Sequence, residues 1–255
     1  MKALFLQLIF VKTMSLCIFK GQCLVFFIVL LSLAFVVPAS ALTWREVTET
    51  CPLTGETFTR QAVNSYTRMG MQLDLKPVGA LVAPVPPPVC PDSGFVMYRE
   101  DFSEADIAYF RKLVATPEFR DIRAGNTDYF VAAYQAEKRG ADRLDVAFLM
   151  LQATWEADTE PARYDRYARI AMTRFEDYDR SGDAERLSET WWTVKLLIVN
   201  FRRRLGEFDA AADLLAELPL AGQPADSGIR MVMERLGRLI SERKASAAEI
   251  APRQP

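Results

Sequence analysis

The chain of 255 residues contains no histidine, and this absence excludes several kinds of site. Ser-His-Asp triads, cysteine–histidine pairs and histidine metal centres cannot be built from this chain alone. The chain also has no excess of positive charge, since it contains 31 Lys and Arg residues and 33 Asp and Glu residues. Nucleic-acid binding needs a basic face, so no nucleic-acid partner is predicted. The phosphate-binding loops G-x-x-x-x-G-K and G-x-G-x-x-G are absent as well, and we predict no cofactor.

The N-terminal part of the chain has the pattern of an export signal. Residues 24–37 read LVFFIVLLSLAFVV, an apolar run without charge that follows Lys20 and precedes the small residues Pro38 to Ala41. A positive flank, a short apolar core and an A-x-A exit predict a signal peptide at residues 1–41, cleaved after Ala41. The alternative is an uncleaved membrane anchor that uses residues 39–42 to reach spanning length. Met14 is a second candidate for the true start.

Cleavage would change the composition of the mature chain. The leader contains three of the 31 basic residues and none of the 33 acidic ones, so the remaining 214 residues carry a net charge of −5. Cys17 and Cys23 leave with it, and Cys51 and Cys90 enter a compartment that oxidises thiols. We expect a bacterial periplasmic protein, or one anchored to the inner membrane if the segment is kept. A membrane partner is expected only through that segment.

The mature chain divides near Asp101 into an extended part and a helical part. In residues 42–101, apolar residues alternate from Met69 to Leu75, and Phe95–Tyr98 form a second short apolar run, so two strands are predicted there. Five prolines between residues 77 and 88 predict a stiff connector. Residues 102–243 show helical periodicity, and residues 244–255 are predicted to be a disordered tail. The expected fold class is mainly α, with a small N-terminal ribbon-like module.

Seven helices joined by short turns are predicted after Asp101. The first begins with the capping-box pair Ser103 and Asp106 and is closed by Pro117. Near the end of the array, Gly206, Phe208, Ala211 and Leu215 have the spacing of the second half of a tetratricopeptide unit. No period of 34 residues recurs elsewhere, so an ordinary antiparallel helical bundle remains the alternative.

Both remaining cysteines begin related segments, Cys51-Pro52-Leu53-Thr54-Gly55 and Cys90-Pro91-Asp92-Ser93-Gly94. Each has the form of a zinc knuckle, C-P-x-C-G, in which a hydroxyl residue replaces the second cysteine. Together with the helical array, from Glu49 to about Pro219, they resemble the domain of unknown function 2225 family. Members of that family begin with two knuckles and continue into tetratricopeptide-like helices. The resemblance implies an architecture and no activity.

The substituted knuckles argue against a zinc site. Structural zinc needs four ligands, normally thiolate or imidazole, and this chain offers two thiols and no imidazole. Sulfur atoms that share a zinc ion lie close enough for small movements to join them. We therefore predict a structural disulfide between Cys51 and Cys90 in place of the metal. Two unpaired cysteines are the alternative.

Three further sequence patterns contain candidate functional residues. Ser241 to Lys244 match S-x-x-K, but the S-D-N and K-T-G motifs of penicillin-binding enzymes are absent. The acids of the loop at residues 156–160 are better explained by solvation and helix capping than by glycoside hydrolysis. Adjacent tryptophans, followed on the same helix by three arginines, suggest a partner surface formed by Trp192, Arg202, Arg203 and Arg204. Pairing of the arginines with Glu207 or Asp209 is the alternative.

These observations favour a non-enzymatic, exported helical-repeat protein that binds a protein or peptide in the bacterial envelope. Such a protein should have a solvent-open groove lined by several helices. The alternative is a histidine-free envelope hydrolase that uses carboxylate or serine residues, and a third possibility is a structural protein that associates with itself. No catalytic residue is predicted.

Overall fold

The structure, a computed structural model, describes residues 42–80, 82–219 and 227–251. The predicted signal peptide and the last four residues of the predicted tail lie outside these ranges. Within these ranges, no helix combines the length and the apolar character needed to cross a membrane.

The N-terminal part consists of two antiparallel strand pairs. The first pair is a long hairpin, β1 (Leu42–Thr50) with β2 (Thr57–Tyr66), and the second is β3 (Arg68–Met71) with β4 (Pro77–Gly79). The strand expected over residues 69–75 is therefore shorter and ends in a turn. The strand expected over residues 95–98 is only an isolated bridge between Val89 and Val96.

The rest of the described chain is helical, which confirms a mainly α fold with a small antiparallel hairpin before it. The eight helices in the described residues are α1 (Glu104–Val114), α2 (Pro117–Gly125), α3 (Asp128–Arg139), α4 (Arg143–Glu156), α5 (Pro161–Ser181), α6 (Glu189–Arg204), α7 (Phe208–Glu217) and α8 (Gly228–Ser241).

Local capping signals explain most of the helix boundaries. Ser103 and Asp106 form the expected capping box at the start of α1. Gly140 ends α3 with φ of 80°, a left-handed conformation that glycine adopts without a Cβ penalty. Pro117 was expected only to close α1, but it also begins α2, where the Thr116 hydroxyl accepts a hydrogen bond from the Phe119 amide. A proline in the first turn of a helix lacks only an N–H that would be unpaired anyway. Because the prediction used Pro117 only as the end of α1, helix α2 is the one that it missed.

Consecutive helices from α3 to α8 pack against one another in chain order, and α8 also contacts α6. The largest core lies between α3, α4, α5 and α6, around the fully buried rings of Tyr167, Phe175 and Phe201. A second core joins α6, α7 and α8 through Trp192, Val199 and other apolar residues.

The extended N-terminal part contributes to the cores of the helical part. Leu53 and Phe95 pack in one cluster with Phe110 of α1. Further along, the Val96 amide donates to the Gln135 side chain of α3, whose amide group donates back to the Val96 carbonyl. Leu73 belongs to the core of α6, α7 and α8. Residues 42–101 are thus attached to the helical array near both ends.

The prediction of a disordered tail is wrong for residues 244–251. The Leu73 amide donates to the Ala248 carbonyl, and the Ile250 amide donates to the Met71 carbonyl. An antiparallel bridge joins Gln72 and Glu249 between them. The Ala/Ser/Pro composition after the last helix suggested disorder, but these residues are held by backbone pairing with a segment about 180 positions earlier, which no local pattern reveals.

Candidate functional site: an apolar groove beside helices α6 and α8

An apolar groove of about 190 Å³ lies between α6, α8, the turn after β3 and the C-terminal segment. Eight of its lining residues are apolar or aromatic, glycine apart, and the polar ones are Glu189 and Thr193 of α6. The full lining is Leu73, Leu75, Glu189, Trp192, Thr193, Leu196, Leu197, Gly228, Ile229, Val232 and Ile250. Four separate segments of the chain supply these residues, so sequence reasoning did not find the groove.

Trp192 lines this groove with only 2% of its surface exposed. Its position follows from the start of α6, where the Ser188 hydroxyl accepts a hydrogen bond from the Trp191 amide. The ring of Trp191 meets it edge to face at a centroid distance of 5.0 Å. The expected exposed partner surface at Trp192 is therefore wrong, because the side chain belongs to the core. Its indole N–H is buried and has no hydrogen-bond partner among the described residues.

Leu73 and Leu75 reach the groove through an unusual turn. Leu75 has φ of 66°, in the left-handed region, where an L-residue other than glycine is disfavoured by roughly 1–2 kcal/mol. The turn is closed by hydrogen bonds from the Leu75 amide to the Gln72 carbonyl and from the Gln72 amide to the Lys76 carbonyl. A strained backbone that the surroundings hold in place is a feature of ligand sites, and here it presents a leucine to the groove.

A charged cluster on the other side of this turn anchors it to the helices. The Lys76 ammonium donates to Asp158 at 2.6 Å, and Arg204 of α6 contacts Asp158 at 3.3 Å. The Arg204 guanidinium also lies 4.2 Å from the centroid of the Tyr164 ring. Asp74 is 2% exposed, and burial raises the pKa of its carboxyl, an effect partly opposed by Lys76 and Arg204. These contacts fix the turn and thereby the two leucines.

The other arginines of the expected partner surface are occupied within the protein. Arg202 pairs with Glu176 at 2.6 Å and with Glu207 at 3.4 Å, so the alternative of pairing with Glu207 is confirmed for this residue. Arg203 is 1% exposed, which is incompatible with a surface role. A surface formed by Trp192 and the three arginines is therefore not present.

Arg203 instead connects α6 to the C-terminal segment. Its guanidinium donates to the Asn200 side chain at 2.7 Å and to the Ser246 carbonyl at 2.9 Å, and it also contacts the Lys244 carbonyl. Burial lowers the pKa of Arg203 to about 10, which leaves the group charged at neutral pH. Charge-assisted hydrogen bonds to carbonyl oxygens satisfy this buried cation. They position the segment that brings Ile250 to the groove.

The two cysteine segments form turns with matching hydrogen bonds. In the first turn, the Cys51 amide donates to the Glu56 carbonyl, and the Gly55 amide donates to the Cys51 carbonyl. In the second turn, the Cys90 amide donates to the Phe95 carbonyl, and the Gly94 amide donates to the Cys90 carbonyl. Thr54 and Ser93, which occupy the same position in the two segments, each accept a hydrogen bond from the amide two residues later, at 3.3 Å. The Cα atoms of Cys51 and Cys90 lie 5.4 Å apart, and both residues are 1% exposed. The repeated C-P-x-x-G pattern thus corresponds to a repeated turn.

The acids and the serine considered for catalysis have structural partners. Glu156 accepts a hydrogen bond from the Tyr129 amide at 3.0 Å, Asp158 belongs to the charged cluster, and Glu160 pairs with Arg163. The Ser241 hydroxyl donates to the Arg238 carbonyl. The described residues contain no group of three or more cysteine or acidic side chains arranged to hold a metal ion. We assign no catalytic residue to these positions.

A second groove, of about 420 Å³, lies between the end of α3, the start of α4 and the end of α5. Its charges compensate one another: Arg174 pairs with Glu137 at 2.7 Å, and Arg180 pairs with Asp177. Exposed ion pairs of this kind are well solvated and contribute little. The groove beside α6 and α8 is the better candidate, because its apolar lining gains free energy when water is displaced.

Models of known protein families, curated proteins and solved structures were compared with the chain, and none matches it. The resemblance to the domain of unknown function 2225 family therefore stays a prediction.

Proposed function

We propose that this chain is an exported, non-enzymatic binding protein of the bacterial envelope, and that the groove beside α6 and α8 holds apolar side chains of a protein or peptide segment. The observation that carries the proposal is the lining of the groove, in which a buried tryptophan and several leucines and isoleucines surround a solvent-open space. Apolar anchors in such pockets supply most of the binding free energy in protein–peptide complexes.

The size of the groove supports a peptide segment over a small molecule. Sites for drug-sized ligands have volumes of about 300–1,000 Å³, whereas this groove has about 190 Å³. A volume of that size suits one or two side chains, while the rest of the segment lies across the rim. Glu189 and Thr193 at the rim offer an acceptor and a hydroxyl to the backbone of the segment.

The proposal is tested by a matched pair of substitutions on α8. Val232 is half-buried in the groove, whereas Met231 is 45% exposed and does not line it. Peptides selected from a random displayed library on the wild-type protein should share an apolar anchor. Val232→Glu should weaken them at least tenfold, because it places a charge in the groove, and Met231→Glu should not. Equal weakening by both variants, or selected peptides without an apolar anchor, would contradict the proposal.

We further propose that the helices form a tetratricopeptide-like array. The support comes from α6 and α7, where Gly206 ends the first helix with φ of 79° and Ala211 is fully buried at the small-residue position of the unit. Phe208 and Leu215 pack beside it in the same core. In such arrays, each helix pair buries its apolar face against the next, which leaves grooves open to binding.

The N-terminal module is proposed to be a degenerate knuckle pair joined by a Cys51–Cys90 disulfide. The matching turns, the burial of both cysteines and their Cα separation of 5.4 Å support it, since disulfides usually need Cα atoms 4.4–6.8 Å apart. The test is a thiol assay on unfolded, non-reduced protein purified from the periplasm. No reactive thiol is expected from the mature chain, and two reactive thiols would exclude the bond.

A further inference from the structure

The first strand of the β1–β2 hairpin has an edge that no other strand covers. The two strands form a sheet of their own, and within the described residues β1 pairs with β2 alone. Six of the nine residues of β1 are exposed, so little of the described chain lies against it. A two-stranded ribbon is marginally stable in water, and an edge of unpaired N–H and C=O groups is a template for a further strand.

The hydrogen bonds at the hairpin turn show which backbone groups lie on this open edge. The Cys51 amide donates to the Glu56 carbonyl across the hairpin, and the strand register continues without a shift as far as the irregularity near the start of β1. Backbone groups in an antiparallel pair point alternately towards and away from the partner strand. Those of Val47, four residues before Cys51, therefore point to β2, whereas those of Glu46 and Thr48 point outward. The open edge thus offers pairing groups on either side of Val47.

The charges along β1 make it complementary to a second copy of itself in one register. About a two-fold axis at Val47, Arg45 of each copy lies opposite Glu49 of the other, so that two pairs of opposite charge form. An axis at Arg45, Glu46 or Glu49 places that residue opposite its own copy, which sets like charges against each other. An axis at Thr48 brings no charges opposite one another. The register centred on Val47 is therefore the one that the charges favour.

The side chains on this face of β1 can form the two pairs. Arg45 is exposed and has no acidic partner among the described residues. Glu49 accepts two hydrogen bonds from Arg60 of β2, at 2.9 and 3.1 Å, and both go to its Oε1 atom. Its Oε2 atom can therefore accept from Arg45 of a second copy. Val47 lies between Arg45 and Glu49 on the same face of the strand, and it would contact its own copy across the axis.

We propose that two copies of this chain associate through β1, antiparallel and with the two-fold axis at Val47, into a four-stranded sheet with the order β2–β1–β1–β2. Main-chain hydrogen bonds between Glu46 of one copy and Thr48 of the other hold the two inner strands together. The charged pairs fix the register, because a slip of one residue removes them. No residue of β1 lines the groove beside α6 and α8, so failure of either proposal leaves the other standing.

The test measures self-association by sedimentation equilibrium of the full chain, expressed with its leader and purified in the form that the cells accumulate. The wild type should form dimers. Arg45→Glu should raise the dissociation constant of the dimer at least about tenfold, because it sets two pairs of like charges against each other. Arg68→Glu makes the same change of charge on β3, outside the interface, and should leave the constant unchanged.

A second variant separates the interface from damage to the hairpin. Glu49→Arg should also prevent association, both by repulsion from Arg45 and by loss of the contact with Arg60. In a mixture of Arg45→Glu with Glu49→Arg, both pairs across the axis again carry opposite charges. The mixture should therefore form dimers of one variant with the other, about as tightly as the wild type, although neither variant associates with itself.

Single cysteines test the register. Two residues at the axis face each other in a non-hydrogen-bonded pair with Cα atoms about 4.5 Å apart, within the range of a disulfide. The two copies of Thr48 are diagonal neighbours about 7–8 Å apart, which is too far. Oxidation should join Val47→Cys into a covalent dimer on a non-reducing gel, and Thr48→Cys should stay monomeric there.

Four outcomes would overturn the proposal. The first is a wild-type protein that stays monomeric up to its highest soluble concentration. The second is an equal effect of Arg45→Glu and Arg68→Glu on the dimer, which would place the contact on another surface. The others are a mixture of the two charge variants that does not associate, and a covalent dimer that forms as readily from Thr48→Cys as from Val47→Cys.

Discussion

The carboxyl group of Glu156 on α4 accepts a hydrogen bond from α3, and its ionisation should make the free energy of unfolding depend on pH. The size of this dependence can be calculated and compared with a variant that lacks the carboxyl group. The side chain of Thr127 makes no capping hydrogen bond at the start of α3, and the Tyr129 amide donates instead to Glu156 of the neighbouring helix. Burial, with a smaller effect of Asp128, raises the pKa of Glu156 to about 7, while interactions with the Thr127 side chain and the Tyr129 amide, and more weakly with Arg123, act in the opposite direction. The carboxyl group is therefore protonated more readily in the folded protein than in the unfolded chain.

The sign and size of the pH effect follow from this difference in pKa. The folded state binds the proton more tightly, so this contribution to the free energy of unfolding is full below about pH 4.5 and is lost as the pH rises through 7. At 1.36 kcal/mol per unit, a change from 4.5 to about 7 corresponds to at most about 3 kcal/mol. The Glu156→Gln variant keeps a side-chain oxygen that can accept the hydrogen bond from the Tyr129 amide, but its side chain cannot ionise.

Urea unfolding, followed by circular dichroism, measures this effect as the difference between wild type and variant. The free energy of unfolding of the wild type minus that of Glu156→Gln should fall by up to about 3 kcal/mol between pH 4.5 and 7.5. Glu160→Gln, which removes an exposed carboxylate from the same loop, serves as the control and should differ from wild type by no more than about 0.5 kcal/mol. A difference for Glu156 that stays constant or rises with pH would refute the reasoning.

Three further predictions concern stability. Trp192→Phe should leave the free energy of unfolding nearly unchanged, because the lost indole N–H has no partner, whereas Trp192→Ala should cost about 3–5 kcal/mol in thermal or urea unfolding. Replacing Cys51 and Cys90 by alanine should cost roughly 4 kcal/mol, since the bond would close a loop across 39 positions; an unchanged urea midpoint would speak against it. Arg203→Met should release the C-terminal segment, seen as faster hydrogen exchange of the Ile250 amide, and unaltered exchange would show that the segment is held without Arg203.

Helix boundaries could be predicted because their causes are local. Ser103 and Asp106, the predicted capping box, act on the backbone within one turn and begin α1 as their chemistry requires, and Gly140 acts in the same local way at the end of α3. Pro117 shows the limit of such signals, because proline both ends one helix and begins the next. A sequence pattern alone does not separate these two roles when the connection is only two residues long.

The β1–β2 hairpin was missed for a different physical reason. Its cross-strand pairs near the turn, Thr48 with Thr59 and Thr50 with Thr57, are threonines, so the strands lack the alternation of apolar and polar residues that reveals a half-buried strand. The adjacent tryptophans pose a related problem. Helical geometry places Trp191 and Trp192 about 100° apart, but only the packing of α6 on its neighbours decides which ring is buried.

The groove could not be predicted, because its parts come from segments distant in sequence. The position of Leu75 in the groove depends on a turn that is held by charged contacts with Asp158 and Arg204, which lie in other parts of the chain. The position of Ile250 in the groove depends on backbone pairing between the C-terminal segment and Met71. Local composition carries information about helix ends and strand faces, whereas such long-range contacts emerge only when the whole chain is folded.

The central claim, that the groove receives an apolar segment of a partner, is tested most directly by site-specific photocrosslinking in cells whose outer envelope has been permeabilised. A photoreactive phenylalanine analogue is placed in the full chain at Val232, inside the groove, or at Met231, outside it. The account predicts discrete crosslinked products from position 232 that disappear when excess selected apolar peptide is added to the permeabilised envelope, and none of these products from position 231. The same products from both positions, or products from position 232 that the peptide does not displace, would contradict it.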